Sequence, residues 1–255
     1  MCGKKLTMIR NTKYRDYEIF YLDSREDLVD LGKDIIENKL EVFQEFKVTK
    51  RNYVAGVTYR DEKYVVKAPR NEYRIPQRKI QTLFKEGEAL STLKNVNELI
   101  DSGFIEFVRP LMAVVKRRSG MIVDSYLVME YEQGRGLLED EIIQVVEFGK
   151  KLHSARHYHG DFNTSNFMMT TAGLKTIDTQ GKKFTFGTYR MHYEVMTFSK
   201  DLLVLRYGFN GEELFNYPKD IYYYMARGVK GFKNLSVISE IKKKKKKLRD
   251  KGWKI

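Results

Sequence analysis

The chain has 255 residues, 42% apolar and 13% aromatic, with a formal charge of +13. These proportions exclude a disordered chain and can build sizeable cores, in one large domain or in two lobes sharing a cleft. A single cysteine, Cys2, excludes an intrachain disulfide and a thiolate metal cluster and fits a reducing compartment. The N-terminus lacks the apolar core of a signal peptide, and no run of about 18 apolar residues exists to span a bilayer, so the protein is expected in the cytoplasm.

Residues Tyr17 to Leu22 read as a short strand, followed by a helix. Ser24 and Asp27 have the spacing of a capping box, and Leu28, Leu31, Ile35 and Ile36 recur at helical intervals. From Leu40 three strand-like runs follow, LEVFQEFKV, NYVAGVTY and KYVVKA, which implies an antiparallel sheet. The third run carries Lys67. The spacing then predicts a helix over Pro76–Lys94, with Ile80, Leu83, Leu90 and Leu93 as its apolar stripe and with Glu86 and Glu88 on it. Strands resume at FVRPLMAVVKRR and MIVDSYLVMEY, the second running into EQGRGLL. A helical register follows through Ile142, Val146, Phe148 and Leu152.

That helix delivers the most informative stretch, HGDFNTSNF from His159 to Phe167. It places Asp161 five positions before Asn166, and Asp178 follows within IDTQG. FMM and LKTI flank Thr170–Gly173 as a hairpin, setting Asn166 at the start of one strand and Asp178 at the end of the other. The spacing makes chemical sense for phosphoryl transfer. One carboxylate must take a proton from an acceptor hydroxyl while an amide oxygen and a second carboxylate hold Mg²⁺ on ATP phosphates, and Mg²⁺ is content with few protein ligands. His159 accompanies no HxH or HExxH pattern, so it reads as a packed residue bonded to backbone rather than as a metal ligand.

The order H-x-D-x-x-x-x-N followed by a metal aspartate is similar to that of protein-kinase-like phosphotransferases. Gly160 stands where regulated protein kinases carry arginine, and no A-P-E segment follows Asp178, so HGD looks like the small-molecule kinases. Over roughly residues 50 to 250 the chain resembles the bacterial lipopolysaccharide core heptose(II) kinase family. HGDFNTSNF, IDTQGKK, SKDLLVLRYGFNGEELFNYPKDIYYYM and the lysine-rich C-terminus carry that resemblance.

The resemblance implies an α+β, two-lobed protein-kinase-like fold, with a small antiparallel-sheet N-lobe over 1–130, a mainly helical C-lobe over 131–240 and a basic tail over 241–255. It implies ATP and Mg²⁺ as cofactors and a sugar hydroxyl of the lipopolysaccharide core, most specifically a heptose, as acceptor. A small-molecule or protein acceptor, or a non-catalytic membrane adaptor, remain as alternatives. Lys67 would position phosphates and Asp161 would act as base, with Asn166 and Asp178 as metal ligands. Glu86, or second Glu88, would hold Lys67, the preference resting on Ala89, Leu90 and Leu93 at three, four and seven positions after Glu86. Glu130 and Glu132 would meet adenine through their backbones, and Asp201 would hold the catalytic loop or cap a helix.

Two departures stand out. Thr49–Asn52 has no glycine where a phosphate-cradling loop is expected, and Asp178 is followed by Thr-Gln-Gly rather than Phe-Gly, which suggests a constitutive enzyme. In the tail, Ile241–Ile255 has nine basic side chains and one acidic, so +8 of the +13 lies there. Lys242 to Lys247 would suit an anionic membrane face, with each lysine contributing about 1 kcal/mol. A solvated run is the alternative reading. Nucleic acid is not an expected partner, and localisation is expected to be cytoplasmic, peripheral to the inner membrane.

Overall fold

The computed structural model describes residues 7–233, so Cys2 and the lysine-rich tail, Lys242 to Lys247 included, lie outside the described residues. The protein is α+β. Its contacts divide the described residues into two compact units: one holds the described chain up to Leu137 together with Asn166–Gly181, the other Leu138–Ser165 and the described chain after Gly181. The hairpin bearing Asn166 and Asp178, which a linear division at residue 130 assigns to the second lobe, therefore groups with the first unit.

In the first unit the strands are β1 (Ile9–Tyr14), β2 (Tyr17–Leu22), β3 (Glu41–Val48), β4 (Tyr53–Tyr59), β5 (Glu62–Ala68), β6 (Pro110–Arg118) and β7 (Met121–Glu130). They form one antiparallel sheet in the order β1-β2-β6-β7-β5-β4-β3. β1 escapes sequence reading because IRNTKY lacks the apolar alternation of a half-buried strand. One face of β5 (Tyr64, Val66, Ala68) turns to the core with Ile19, Val57, Met112, Val114, Ile122 and Val128. The intervening residues Lys63, Val65 and Lys67 occupy the opposite face, since strand side chains alternate. Helix α1 (Val29–Glu37) buries Leu31 and Ile35 and ends on Asn38 in the left-handed conformation. No capping box forms before it, because a 3₁₀ turn over Asp23–Leu28 lets Arg25 engage the Asp27 carboxylate at 3.0 Å.

The predicted helix over Pro76–Lys94 is broken into two pieces, with a further short helix before it. Short helices α2 (Asn71–Arg74) and α3 (Pro76–Gln81) are followed by a non-helical turn, and α4 (Glu88–Asp101) begins after Gly87. Leu90 and Leu93 are buried as expected, with Val96 and Leu99 extending the stripe, but Ile80 and Leu83 face solvent. Gly87 has φ +97°, and a Cβ there would lie 2.2 Å from Ile122, so the turn needs glycine.

The strands β8 (Gly134–Arg135), β9 (His157–Tyr158), β10 (Phe167–Thr170), β11 (Gly173–Thr176) and β12 (Lys182–Lys183) are shorter. β10 and β11 form the predicted hairpin, with β8 on its edge, in the first unit. In the second unit β9 pairs with β12. Helices α5 (Glu141–Ser154), α6 (Tyr189–Phe198), α7 (Leu202–Arg206), α8 (Gly211–Phe215) and α9 (Ile221–Lys233) complete that unit. Its core is aromatic: Phe162 packs between Phe148, Phe198 and Phe215, with ring centroids 5.5–6.5 Å apart. Among the described residues no helix is long and apolar enough to cross a membrane.

Candidate active site

On the first unit, Lys67 Nζ lies 3.1 Å from Glu88 Oε1 and also contacts the Asp178 carboxylate. Burial disfavours the Lys67 ammonium, but Glu88 and Asp178 more than offset this and hold its pKa above the ordinary value. The expected partner Glu86 pairs instead with Lys94. Because α4 starts only at Glu88, the helical spacing counted from Glu86 does not apply. Glu88 is the first helical residue, and Cβ bonds on a helix tilt toward its N-terminus, which aims its side chain back toward β5. The Glu88 amide donates to Glu72 Oε1 at 2.7 Å, while the buried Glu72 Oε2 has no hydrogen-bond partner. Burial, opposed by that amide and reinforced by the Glu88 charge, raises the Glu72 pKa.

Asp178 has φ +55°, in the left-handed region that aspartate enters more readily than most residues. Asn166 ends the 3₁₀ turn just before β10, and its carbonyl accepts from Ile177 N at 2.9 Å and from the Thr176 hydroxyl at 3.2 Å. The hairpin thereby places residue 166 opposite residue 177, the neighbour of Asp178 in the chain. Two oxygen donors, one carboxylate and one amide, fit Mg²⁺, which keeps waters and takes substrate phosphates. Among the described residues no group of three or more His, Cys, Asp or Glu could hold a metal without such partners. After Asp178, the Thr179 hydroxyl accepts from Gly181 N at 3.1 Å, and the Gln180 carbonyl accepts from Asn95 Nδ2 of α4 at 3.0 Å. Polar ties thus stand where an aromatic anchor would be.

The β3–β4 turn accounts for its missing glycines. The Thr49 hydroxyl accepts from Arg51 N (3.2 Å) and Asn52 N (2.9 Å), and Arg74 donates to the Lys50 carbonyl at 2.8 Å. The amides of Thr49, Arg51 and Asn52 are spent internally. On the same sheet face an aromatic group went unforeseen. Phe43 meets Tyr131 edge-on at 5.4 Å, Phe46 stacks on Tyr131 at 6.5 Å, and Lys63 Nζ is 5.1 Å from the Phe43 ring. A Cβ on Gly56 would lie 2.4 Å from Phe43, so glycine is what admits the ring. The Glu130 amide donates to the Arg109 carbonyl at 3.0 Å, and its half-buried side chain has a raised pKa, from burial with Arg109 opposing. The Glu132 carboxylate lies 3.8 Å from Lys175.

On the second unit, the loop carrying Asp161 is tied down by two carboxylates. Glu194 of α6, buried, accepts from the amides of His159 (3.1 Å) and Gly160 and lies 3.1 Å from His153 Nε2. The Tyr217 hydroxyl is 3.1 Å from His153 Nδ1. Asp201 accepts from Thr164 N (3.0 Å) and the Thr164 hydroxyl (2.7 Å) and also caps α7 through Leu203 N (2.9 Å). Both roles expected of Asp201 are filled at once. His159 is buried, with its Nδ1 accepting from Asp161 N at 3.4 Å, and Asp161 is exposed with Asn163 Nδ2 on its carboxylate. Glu194 escaped sequence reading: a glutamate in YRMHYEVMTF looks like any helical surface charge.

Residues 8–191 match the model of a family described as lipopolysaccharide core biosynthesis protein (WaaY). The chain belongs to that family. The matched span contains Lys67, Glu88, Asp161, Asn166, Asp178 and Glu130. No curated protein matches the chain. Among solved structures, the kinase domain of Mycobacterium tuberculosis PknI is similar at 11% identity, with a TM-score of 0.42 over 64% of this chain and 74% of that chain. A single mutant and a double mutant of the same domain are similar at 12% identity, each with a TM-score of 0.42 over 64% of this chain.

Proposed function

We propose that this lipopolysaccharide core biosynthesis protein is a phosphotransferase that moves the γ-phosphoryl group of ATP to a sugar hydroxyl of the core, a heptose being the acceptor intended. The observation that carries the reading is Lys67 held between Glu88 and Asp178. A lysine kept charged in a mostly buried position, with its two carboxylates on separate elements, is built to meet further anions, and phosphates are the anions that chemistry requires.

Asp161 accepts the proton of the acceptor hydroxyl as the new O–P bond forms and the bond to the leaving ADP oxygen breaks. Asn163 and the His159 ring orient it. Asn166 and Asp178 would hold Mg²⁺, which supplies neutralisation of charge on the phosphate oxygens. Lys67 positions phosphates and Glu88 orients Lys67. With the Glu130 amide already donated, the carbonyl of Glu130 and the backbone of Glu132 would meet the base edge, and the rings of Phe43 and Tyr131 would offer it apolar contact. The tail lysines Lys242 to Lys247 would add attraction to an anionic lipid surface.

The test is ATP turnover by the purified chain with dephosphorylated core oligosaccharide, with and without Mg²⁺, and the mass and position of any phosphate added. A phosphate on a core heptose only when Mg²⁺ is present is the expected result. Absence of transfer to any core sugar would overturn it.

A further inference from the structure

We infer that the segment Ile75–Lys85 of the first unit is a docking surface for an anionic lipid bilayer. Periodicity assigns Ile80 and Leu83 to a buried stripe, yet both are solvent-facing, at 56% and 45% exposure. Phe84 beside them is 87% exposed, and Ile75 is also exposed. A phenylalanine that open to water in a well-packed unit calls for a partner.

The segment is not a loose loop. The Arg117 guanidinium donates to the carbonyls of Thr82 (2.8 Å), Gly120 (2.7 Å), Lys85 (2.9 Å) and Glu86 (3.1 Å), fastening the turn to the β6–β7 hairpin. The buried Thr82 hydroxyl accepts from Ile122 N at 2.9 Å and donates to the Lys79 carbonyl at 2.6 Å. Phe84 is therefore held outward by bonds on both sides of it. Its apolar neighbours are interleaved with Arg74, Arg78, Lys79 and Lys85, and between Arg74 and Lys85 the sequence has no acidic residue. Apolar side chains to enter an acyl boundary, with cations to meet phosphate headgroups, are the chemistry of an interfacial anchor. A soluble acidic protein would satisfy the cations alone. The inference does not depend on phosphoryl transfer, and its readout is lipid binding.

The full-length chain is sedimented with vesicles of phosphatidylglycerol and phosphatidylethanolamine and, in parallel, with phosphatidylcholine alone. Binding to the anionic vesicles is expected, falling about tenfold or more in Phe84→Ser and in Ile80→Ser with unchanged melting temperature. It should weaken in the double variant Arg78→Glu, Lys79→Glu and in salt raised well above about 0.1 M. Undiminished binding by all three variants would overturn the inference and leave attraction to the lysine-rich terminus alone. Equal binding to phosphatidylcholine would overturn it too. So would a dimer that Phe84→Ser dissolves without any vesicle binding, since the patch would then serve a second copy.

Discussion

In the first unit Lys67 is held by opposite charge, between Glu88 and Asp178. In the second, the loop bearing Asp161 is held by carboxylates that accept backbone amides, Glu194 from His159 and Gly160 and Asp201 from Thr164. The two arrangements suit different tasks. A long lysine among carboxylates can exchange partners when an anionic substrate arrives, because every contact is made by a mobile side chain. Amides bonded to a buried carboxylate have fixed directions, so the loop keeps its shape whatever is bound.

Replacement of Asp161 by Asn should give the largest loss and should not touch either anchor. The amide keeps an oxygen for Asn163 Nδ2 but cannot take a proton. Turnover should fall about 10² to 10⁴-fold, with melting temperature and nucleotide affinity nearly unchanged in calorimetry. Equal loss of nucleotide binding would mean that Asp161 is part of the charge-held group.

Lys67→Met should reveal the cost of leaving two carboxylates without their cation. About 2 kcal/mol of stability should be lost in urea unfolding, less than the 3–5 of a fully buried pair because Asp178 is 41% exposed. Since the Lys67 pKa is raised, its stabilisation is complete below the ordinary value of 10.5 and is lost as pH rises through the folded value. The difference between wild type and Lys67→Met should therefore be flat at neutral pH and close above pH 10.5. A difference that already closes near pH 8 would contradict the raised pKa.

Glu194→Gln removes charge from the amide-held anchor while keeping one acceptor. A loss of about 1.5–3 kcal/mol, with turnover lowered and Mg²⁺ dependence unchanged, is expected. A shifted Mg²⁺ requirement would instead assign Glu194 to metal positioning.

Glu88→Gln and Glu86→Gln separate the two glutamates. Turnover should drop in the first, while the second should stay within about 0.5 kcal/mol and near full activity, its pair with Lys94 being exposed. The reverse outcome would restore Glu86 as the partner of Lys67. A small effect of the opposite sign is expected from Glu72→Gln. A raised carboxyl pKa means that the folded state prefers the protonated form, so Glu72 costs stability above its ordinary value of 4.5. The variant should be more stable than wild type at neutral pH, and the gain should vanish as pH falls below 4.5.

The hairpin, the catalytic-loop spacing, Lys67 on its strand and the α+β class were legible because each rests on neighbours in sequence. Alternation exposes a strand, a short polar run exposes a turn, and the five-position step from Asp161 to Asn166 is a local distance. Apolar spacing favours Glu86 over Glu88 only if one helix runs through both, and α4 begins at Glu88. Only Gly87, with its left-handed φ and no room for a Cβ beside Ile122, ends one segment and starts the next. Glu194, the Thr49 turn and the Phe43 ring on Gly56 were silent for a related reason: each is defined by a partner distant in sequence or by a hydroxyl that could serve many local bonds.

The sequence by itself determined which residue types could carry phosphoryl transfer and roughly how they are ordered, because a motif is a one-dimensional statement about side-chain chemistry. Tertiary structure decided which of two glutamates meets Lys67, which carboxylates hold the Asp161 loop, and that Ile80, Leu83 and Phe84 face water instead of the core. Those outcomes depend on where a helix begins and on which strands lie beside it. Hydrogen bonds and burial act between atoms close in space, and periodicity along a chain carries no record of them once a turn such as that at Gly87 breaks the register.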